Sequence, residues 1–264
     1  MTDRLTIALA QLNPTVGAIN ANLAKARDAL AKSAGADLIL FPELFICGYP
    51  PEDLVLRPSF VENCRIAVED LARDTASGPA ILMGLPWRDG SRLYNAVALL
   101  ANGRIETLRY KHDLPNYGVF DEKRVFDAGP APGPIPFKGV RLGVPICEDI
   151  WTEESCETLA ETGAEILLVP NGSPFEGNKD DVRLNLVVAR VTETGLPLVY
   201  LNQVGGQDEL VFDGASFVLN ADRSLALQMP MFEEGLALTE WRRDSGGWRM
   251  QPGDIARLPA AKEE

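Results

Sequence analysis

The sequence predicts an α/β fold of two stacked sheets with helices on the outer faces, and three observations carry that reading. The first is a β-α-β pattern at the start of the chain, the second is its echo in the second half, and the third is a hairpin signal trailing the first unit. A crossover helix between two strands implies that the strands run parallel. Two such units, each trailed by hairpins, supply two sheets, and helices with one wet face belong outside them. At 264 residues the chain can bury the core of one large domain without staples.

Leu5 to Leu12 reads as the first strand, ended by Asn13-Pro14 because proline has no N–H for the ladder. From Asn20, the residues Leu23, Ala26 and Leu30 share one helical face, with Lys25, Arg27, Asp28 and Lys32 between them, and Gly35 suits the C-terminal cap. Strand Ala36 to Phe41 completes the unit. Ser59 is the expected N-cap of a second helix carrying Phe60, Cys64, Val68 and Leu71, which Gly78-Pro79 ends before strand Ala80 to Pro86. Tyr94 to Ala101 and Arg104 to Lys111 flank Asn102-Gly103, a pair that accepts the positive φ angles of a type I′ turn. Residues 112–136 form a long loop of Pro, Gly and charge, a length that marks a functional or a disordered segment.

The run from Leu142 reads as a buried strand that stops at Cys147. A helix from Thr152 to Thr162, capped by Gly163, and strand Ala164 to Val169 follow. A helix from Asp180 to Thr194, carrying Val182, Leu186, Ala189 and Val191, precedes strand Pro197 to Asn202 and an antiparallel set across Leu210 to Trp241. Residues 255–264 read as a tail or linker, which leaves 1–254 as the domain.

A formal charge of −13 with no local basic stretch argues against nucleic acid and anionic membranes as partners, since both demand a positive field. Cys47, Cys64, Cys147 and Cys156 are too irregularly spaced for a disulfide framework, and none has zinc-ligand spacing with the single histidine, so no metal is expected. With no apolar leader and no run near the ~18 residues of a membrane span, the expected location is the cytoplasm.

Three strand ends carry chemistry: Phe41-Pro42-Glu43 a carboxylate, Arg109-Tyr110-Lys111 an ammonium, and Ile146-Cys147 a thiol. A thiolate can attack an amide carbonyl carbon, release the amine, and leave a thioester for water to cleave. Glu43 suits the general base, and Lys111 suits the stabilisation of the oxyanion and of the thiolate of Cys147, which would lower the thiol pKa. The rival is a protease-like pair of Cys147 with His112, the only histidine. His112 adjoins Lys111 and would face the other way on a continued strand, so a hydrogen-bonded loop role suits it better.

These three stretches resemble the Glu-Lys-Cys triad of the nitrilase (carbon–nitrogen hydrolase) superfamily. Lys111 to Arg124, Cys147-Glu148-Asp149-Ile150-Trp151, Asn171-Gly172-Ser173-Pro174-Phe175 and Asn202 to Leu210 resemble, more narrowly, the N-terminal glutaminase domain of glutamine-dependent NAD synthetase. The resemblance implies a four-layer α-β-β-α sandwich and hydrolysis of L-glutamine to glutamate and ammonia. It implies Glu43, Lys111 and Cys147 as catalytic residues and Tyr117, Ser173 and Lys179 as glutamine contacts; Glu148 and Glu122 would meet the α-amino group or orient Lys111. In the family a synthetase domain with a Ser-Gly-Gly-Xaa-Asp-Ser loop follows. Ser245-Gly246-Gly247 lacks the Asp-Ser and reads as a turn, so no cofactor is expected in this domain, and ATP and deamido-NAD would bind a synthetase domain joined in cis or in trans. A homo-oligomer is implied as well. A free-standing amidase or carbamoylase and a non-catalytic assembly or regulatory module are the alternatives.

Overall fold

The computed structural model describes residues 2–177 and 179–251, without the side chains of Lys179 and Asp180; the expected tail at 255–264 lies outside the described residues. The first unit is β1 (Arg4–Gln11), α1 (Ile19–Lys32), β2 (Leu38–Leu40), α2 (Pro58–Asp74) and β3 (Ala80–Asp89), with β4 (Arg92–Ala101) and β5 (Arg104–Tyr110) returning as hairpin partners. The second is β6 (Ile135–Phe137), β7 (Val140–Gly143), α3 (Glu154–Glu161), β8 (Ile166–Asn171), α4 (Lys179–Thr194) and β9 (Leu198–Asn202). Six strands follow: β10 (Val204–Gln207), β11 (Leu210–Asp213), β12 (Phe217–Leu219), β13 (Leu225–Gln228), β14 (Gly235–Asp244) and β15 (Gly247–Gln251).

Among the described residues one sheet runs β15-β14-β1-β2-β3-β4-β5 and another β13-β12-β9-β8-β7-β6, with β10 and β11 as a separate ribbon. β1, β2 and β3 are parallel, as are β7, β8 and β9, so each crossover helix acts as expected. Strand alternation sorts the side chains into layers. Ile7, Leu9, Leu38, Leu40 and Leu82 of the first sheet pack against Leu142, Ile166, Leu168, Val199 and Leu201 of the second. The opposite faces are covered, Ala8, Ile39 and Met83 by Leu23, Ala26, Val68 and Leu71 of α1 and α2, and Leu167, Val169 and Leu198 by Leu159, Val187 and Val191 of α3 and α4. The result is the expected α-β-β-α sandwich.

Several details depart from the sequence reading. Helix α2 starts at Pro58, with Arg57 at its N-cap and no side-chain cap, so Ser59 is not the cap. Proline at the first helical position presets φ and lacks an N–H that would have gone unpaired, which makes a side-chain cap less needed. Strand β3 continues past Pro86 to Asp89 and turns at Gly90 into β4, an Asp-Gly hairpin that the reading passed over. Pairing of β7 stops at Gly143, and Cys147 opens a 3-10 turn, Cys147–Ile150, instead of ending a strand. Pro145, with no N–H to donate, prevents the strand from reaching the thiol. Helix α4 buries Arg183, Val187, Arg190 and Val191 and leaves Val182 exposed. Asn102 and Gly103 take the expected positive φ, 54° and 79°, and the 245–247 turn joins β14 to β15.

Gly84 of β3 passes directly under the turn that carries Glu43. A Cβ there would lie 2.4 Å from Leu44 N and 2.6 Å from Pro42 O. Gly84→Ala is therefore expected to cost about 1–3 kcal/mol in chemical denaturation and to displace Glu43, whereas Gly35→Ala, which meets nothing within 4 Å, should leave stability unchanged or slightly raised.

Candidate active site

The loops after β2, β5, β7 and β8 emerge at the same end of the two sheets, the carboxyl ends of the parallel strands, where open α/β architectures place their ligands. β5 joins this set because it is antiparallel to β4, which is antiparallel to β3. Lys111 follows β5 and is anchored by its N–H on Asn95 O at 2.8 Å. Its side chain is fully buried, and Nζ donates to Glu43 Oε1 at 2.7 Å and to Glu122 Oε1 at 2.9 Å. The long loop is thus ordered, and it delivers Glu122 from a short 3-10 turn, Glu122–Arg124.

Glu43 is held on both oxygens. Oε1 also accepts from Asn95 Nδ2 at 2.7 Å, and Oε2 accepts the N–H of Gly172 at 2.9 Å. That N–H can come so close because a Cβ on Gly172 would stand 2.7 Å from the Tyr49 ring, and Tyr49 in turn donates from Oη to Glu122 Oε1 at 2.8 Å. Burial works against the charge of Lys111, but Glu122 and Glu43 outweigh it and hold its pKa well above the ordinary lysine value. Burial pushes the pKa of Glu122 up, with Lys111 pulling against it. Glu122 is nearly enclosed by Lys111, Tyr49 and Asn95, an arrangement that orients the ammonium and leaves little room for a substrate amine.

Cys147 sits at φ +46°, in the left-handed region that costs a non-glycine residue roughly 1–2 kcal/mol, at the head of its 3-10 turn. Asp149 braces that turn. Its Oδ2 accepts the Ile146 N–H at 2.9 Å, and its Oδ1 accepts those of His112 and Asp113 at 2.9 and 2.7 Å, which ties the thiol turn to the segment following Lys111. Burial pushes the Asp149 pKa up to about 7 against those three donors. The thiol itself departs from expectation. Lys111 does pull its pKa down, but burial and the negative charge of Glu43 outweigh it, with Glu122 and Glu148 adding to the rise. Cys147 therefore rests as a protonated thiol.

The remaining positions fall around this centre. Tyr117, half exposed, donates from Oη to Glu148, 3.0 Å from both carboxylate oxygens. Together they line a cavity of about 650 Å³ with His112, Asp113, Lys123 and Thr152. Burial raises the pKa of Glu148, against the hydrogen bond from Tyr117. Ser173 is buried in the turn after Gly172 and donates its N–H to Asn202 Oδ1 at 2.9 Å. Lys179 opens α4, and its side chain lies outside the described residues. His112 engages the Gly129 carbonyl through Nδ1 at 2.8 Å, the loop role expected of it. Among the described residues no group of three or more His, Cys, Asp or Glu is arranged to hold a metal.

Sequence reasoning passed over Tyr49, Asn95, Asp149 and Arg183. Asn95 carried a signal, as the one amide in the otherwise apolar run Ala96 to Ala101 and its approach, and so did Arg183, a charge on the buried stripe of α4. Tyr49, and Asp149 in its bonds to His112 and Asp113, act across distances that no spacing rule predicts.

Two expectations follow from this geometry. Lys111→Met leaves two buried carboxylates without their cation and should cost about 3–5 kcal/mol in denaturation, while Lys111→Met with Glu122→Gln should recover much of that loss. Glu148→Gln removes a negative charge near the thiol, so the pH midpoint for iodoacetamide labelling of Cys147, read by peptide mass spectrometry, should fall; a midpoint that rises would contradict the charge assignment.

Comparison with known proteins places this arrangement. Residues 6–249 match the model of the carbon-nitrogen hydrolase family. The glutamine-dependent NAD(+) synthetase of Rhodobacter capsulatus is 49% identical over 266 residues, covering 100% of this chain and 48% of that protein. The structure of the glutamine-dependent NAD+ synthetase of Acinetobacter baumannii, in complex with ADP, superposes with a TM-score of 0.89 at 38% identity, over 98% of this chain and 49% of the other. The chain spans about half the length of these relatives. A glutamate-to-glutamine mutant of the amidase from Nesterenkonia sp. AN1, showing covalent addition of the acetamide moiety of fluoroacetamide at the active site cysteine, gives a TM-score of 0.78 at 30% identity, over 89% of this chain and 88% of that one. With the family match spanning nearly the whole sandwich and the buried Glu43, Lys111 and Cys147 cluster at its carboxyl end, the chain belongs to the carbon–nitrogen hydrolase family.

Proposed function

We propose that the chain hydrolyses L-glutamine to glutamate and ammonia through a thioester on Cys147, and that the ammonia serves ATP-dependent amidation of deamido-NAD to NAD by a synthetase module joined in cis or in trans. The observation that carries the chemistry is the buried Lys111 ammonium held between Glu43 and Glu122 beside the thiol. The relatives supply the substrate and the partner.

The residues divide the work as follows. Glu43, whose Oε2 keeps one lone pair beyond the bond from the Gly172 N–H, takes the Cys147 proton as Sγ attacks the γ-carboxamide carbon. The oxyanion meets Lys111 and the N–H groups of the 147–150 turn, and the loss of one such donor typically costs about 3 kcal/mol of transition-state stabilisation. The C–N bond then breaks, the leaving nitrogen takes the proton from Glu43, and ammonia departs. Water attacks the thioester with Glu43 again as base, which releases glutamate and restores the thiol. Glu148, oriented by Tyr117, offers a carboxylate to the substrate α-ammonium; Ser173 and Lys179 serve its α-carboxylate. Glu122 keeps Lys111 in place.

In this reading the domain itself carries no cofactor, ATP and deamido-NAD belong to the synthetase module, and the working protein is a cytoplasmic homo-oligomer. Among the described residues no helix is long and apolar enough to cross a membrane.

A free-standing amidase is the second reading, and the Nesterenkonia enzyme favours it because the present chain covers most of that protein's length. Ammonia release from glutamine and from pentanamide, with and without a synthetase module loaded with ATP and deamido-NAD, separates the two. Preference for glutamine with stimulation by the loaded module is expected, and Cys147→Ala should abolish turnover. Preference for pentanamide would establish the amidase instead.

A further inference from the structure

The turn that carries Ser173 is not held by its own backbone alone. Arg183, on the buried stripe of α4, is 2% exposed and reaches under it. Its Nε donates to Ser173 Oγ at 3.2 Å, and NH2 donates to the carbonyls of Ser173 and Pro174, both at 2.8 Å. NH1 is held by Asp213 of β11, 2.9 and 2.7 Å from its two carboxylate oxygens. The guanidinium is thus engaged on all three nitrogens, and its charge is balanced by a fully buried carboxylate. It is spent on the protein and is not offered to a ligand.

The consequence lies in Ser173. A hydroxyl has one proton and two lone pairs. Arg183 has no acceptor capacity, so its contact with Oγ can only occupy a lone pair, and the hydroxyl proton must point elsewhere. The adjoining Gly172 N–H is the one that holds Glu43, which places Ser173 one residue from the reacting centre.

We propose that Arg183, clamped on Asp213, is a positioning residue that makes Ser173 a committed hydrogen-bond donor for the carboxylate at the tail of the substrate. The proposal rests on the glutamine reading and names how that site tells an amino-acid amide from a simple one. Arginine is needed because its planar fork spans a hydroxyl, two carbonyls and a carboxylate at once, which a lysine cannot do.

The test uses labelling of Cys147, which requires no turnover, in the whole chain. Two probes are compared by peptide mass spectrometry: a chloromethyl ketone in which CH2Cl replaces the amide nitrogen of glutamine, and iodoacetamide, which has no carboxylate tail. In each case Sγ displaces the halide and the thiol proton is lost. Arg183→Lys keeps a cation opposite Asp213. It is expected to lower the ratio of ketone to iodoacetamide labelling on the order of tenfold, the loss of one hydrogen bond to a charged group. Ser173→Ala should do the same, and the double variant should be no worse than Ser173→Ala within about twofold, because Arg183 acts through Ser173. Asp213→Asn, which loosens the guanidinium without removing it, should show the same selective loss to a smaller degree. If the single effects multiply, or if Arg183→Lys slows both probes alike, the role of Arg183 is overturned while the glutamine reading stands. A wild-type chain that shows no preference for the ketone overturns both.

Discussion

The interaction on which the site depends is the contact of one buried ammonium with two buried carboxylates. Lys111, Glu43 and Glu122 are all buried, and removing one partner of such a cluster typically costs several kcal/mol. Because Glu43 comes from the loop after β2, and Lys111 and Glu122 from two points of the segment after β5, the cluster also fixes where those two segments go. It orders the long segment after β5, and through Tyr49 and Asn95 it ties in the loop after β2 and the start of β4. Gly172 then attaches the second sheet to the same carboxylate that the first sheet supplies.

Cys147 lies within that charge balance. A resting thiolate would add another negative charge beside Glu43, Glu122 and Glu148, and burial already disfavours it. In the proposed mechanism, keeping the proton on Cys147 until substrate arrives avoids that cost, and transfer to Glu43 turns the residue most opposed to the thiolate into a neutral acid at the moment the thiolate forms. The left-handed backbone at Cys147 and the brace of Asp149 fix the turn that carries the thiol. Local strain at Cys147 is offset by hydrogen bonds made elsewhere in the turn.

Much of the architecture was legible because it rests on local rules. The helical stripe of α1, the Asn102-Gly103 turn and the β-α-β repeats each reflect short-range physics, and they give four layers without further information. What escaped has a long-range origin. The end of β7 is set by Pro145 and by a turn that Asp149 stabilises from two directions, so an apolar run read as a strand stops pairing at Gly143. The α4 stripe was misjudged because charged Arg183 and Arg190 occupy buried positions that an apolar pattern assigns to valine or leucine. Glu43, Lys111 and Cys147 stood out as charged or reactive residues closing expected strands, and family likeness added Tyr117, Glu122, Glu148, Ser173 and Lys179. Asn95 and Tyr49 needed the fold, since their partners lie 52 and 73 residues away.

The chain forms a sandwich of the carbon–nitrogen hydrolase family and spans about half the length of its relatives, so the acyl group that the proposed mechanism places on Cys147 is the point to test. Acid quenching of the chain during incubation with glutamine, followed by peptide mass spectrometry, measures this directly. The account predicts a glutamyl group on the peptide containing Cys147, absent after Cys147→Ala. Ammonia release without an acyl group at Cys147, or an adduct that survives its replacement, would contradict it.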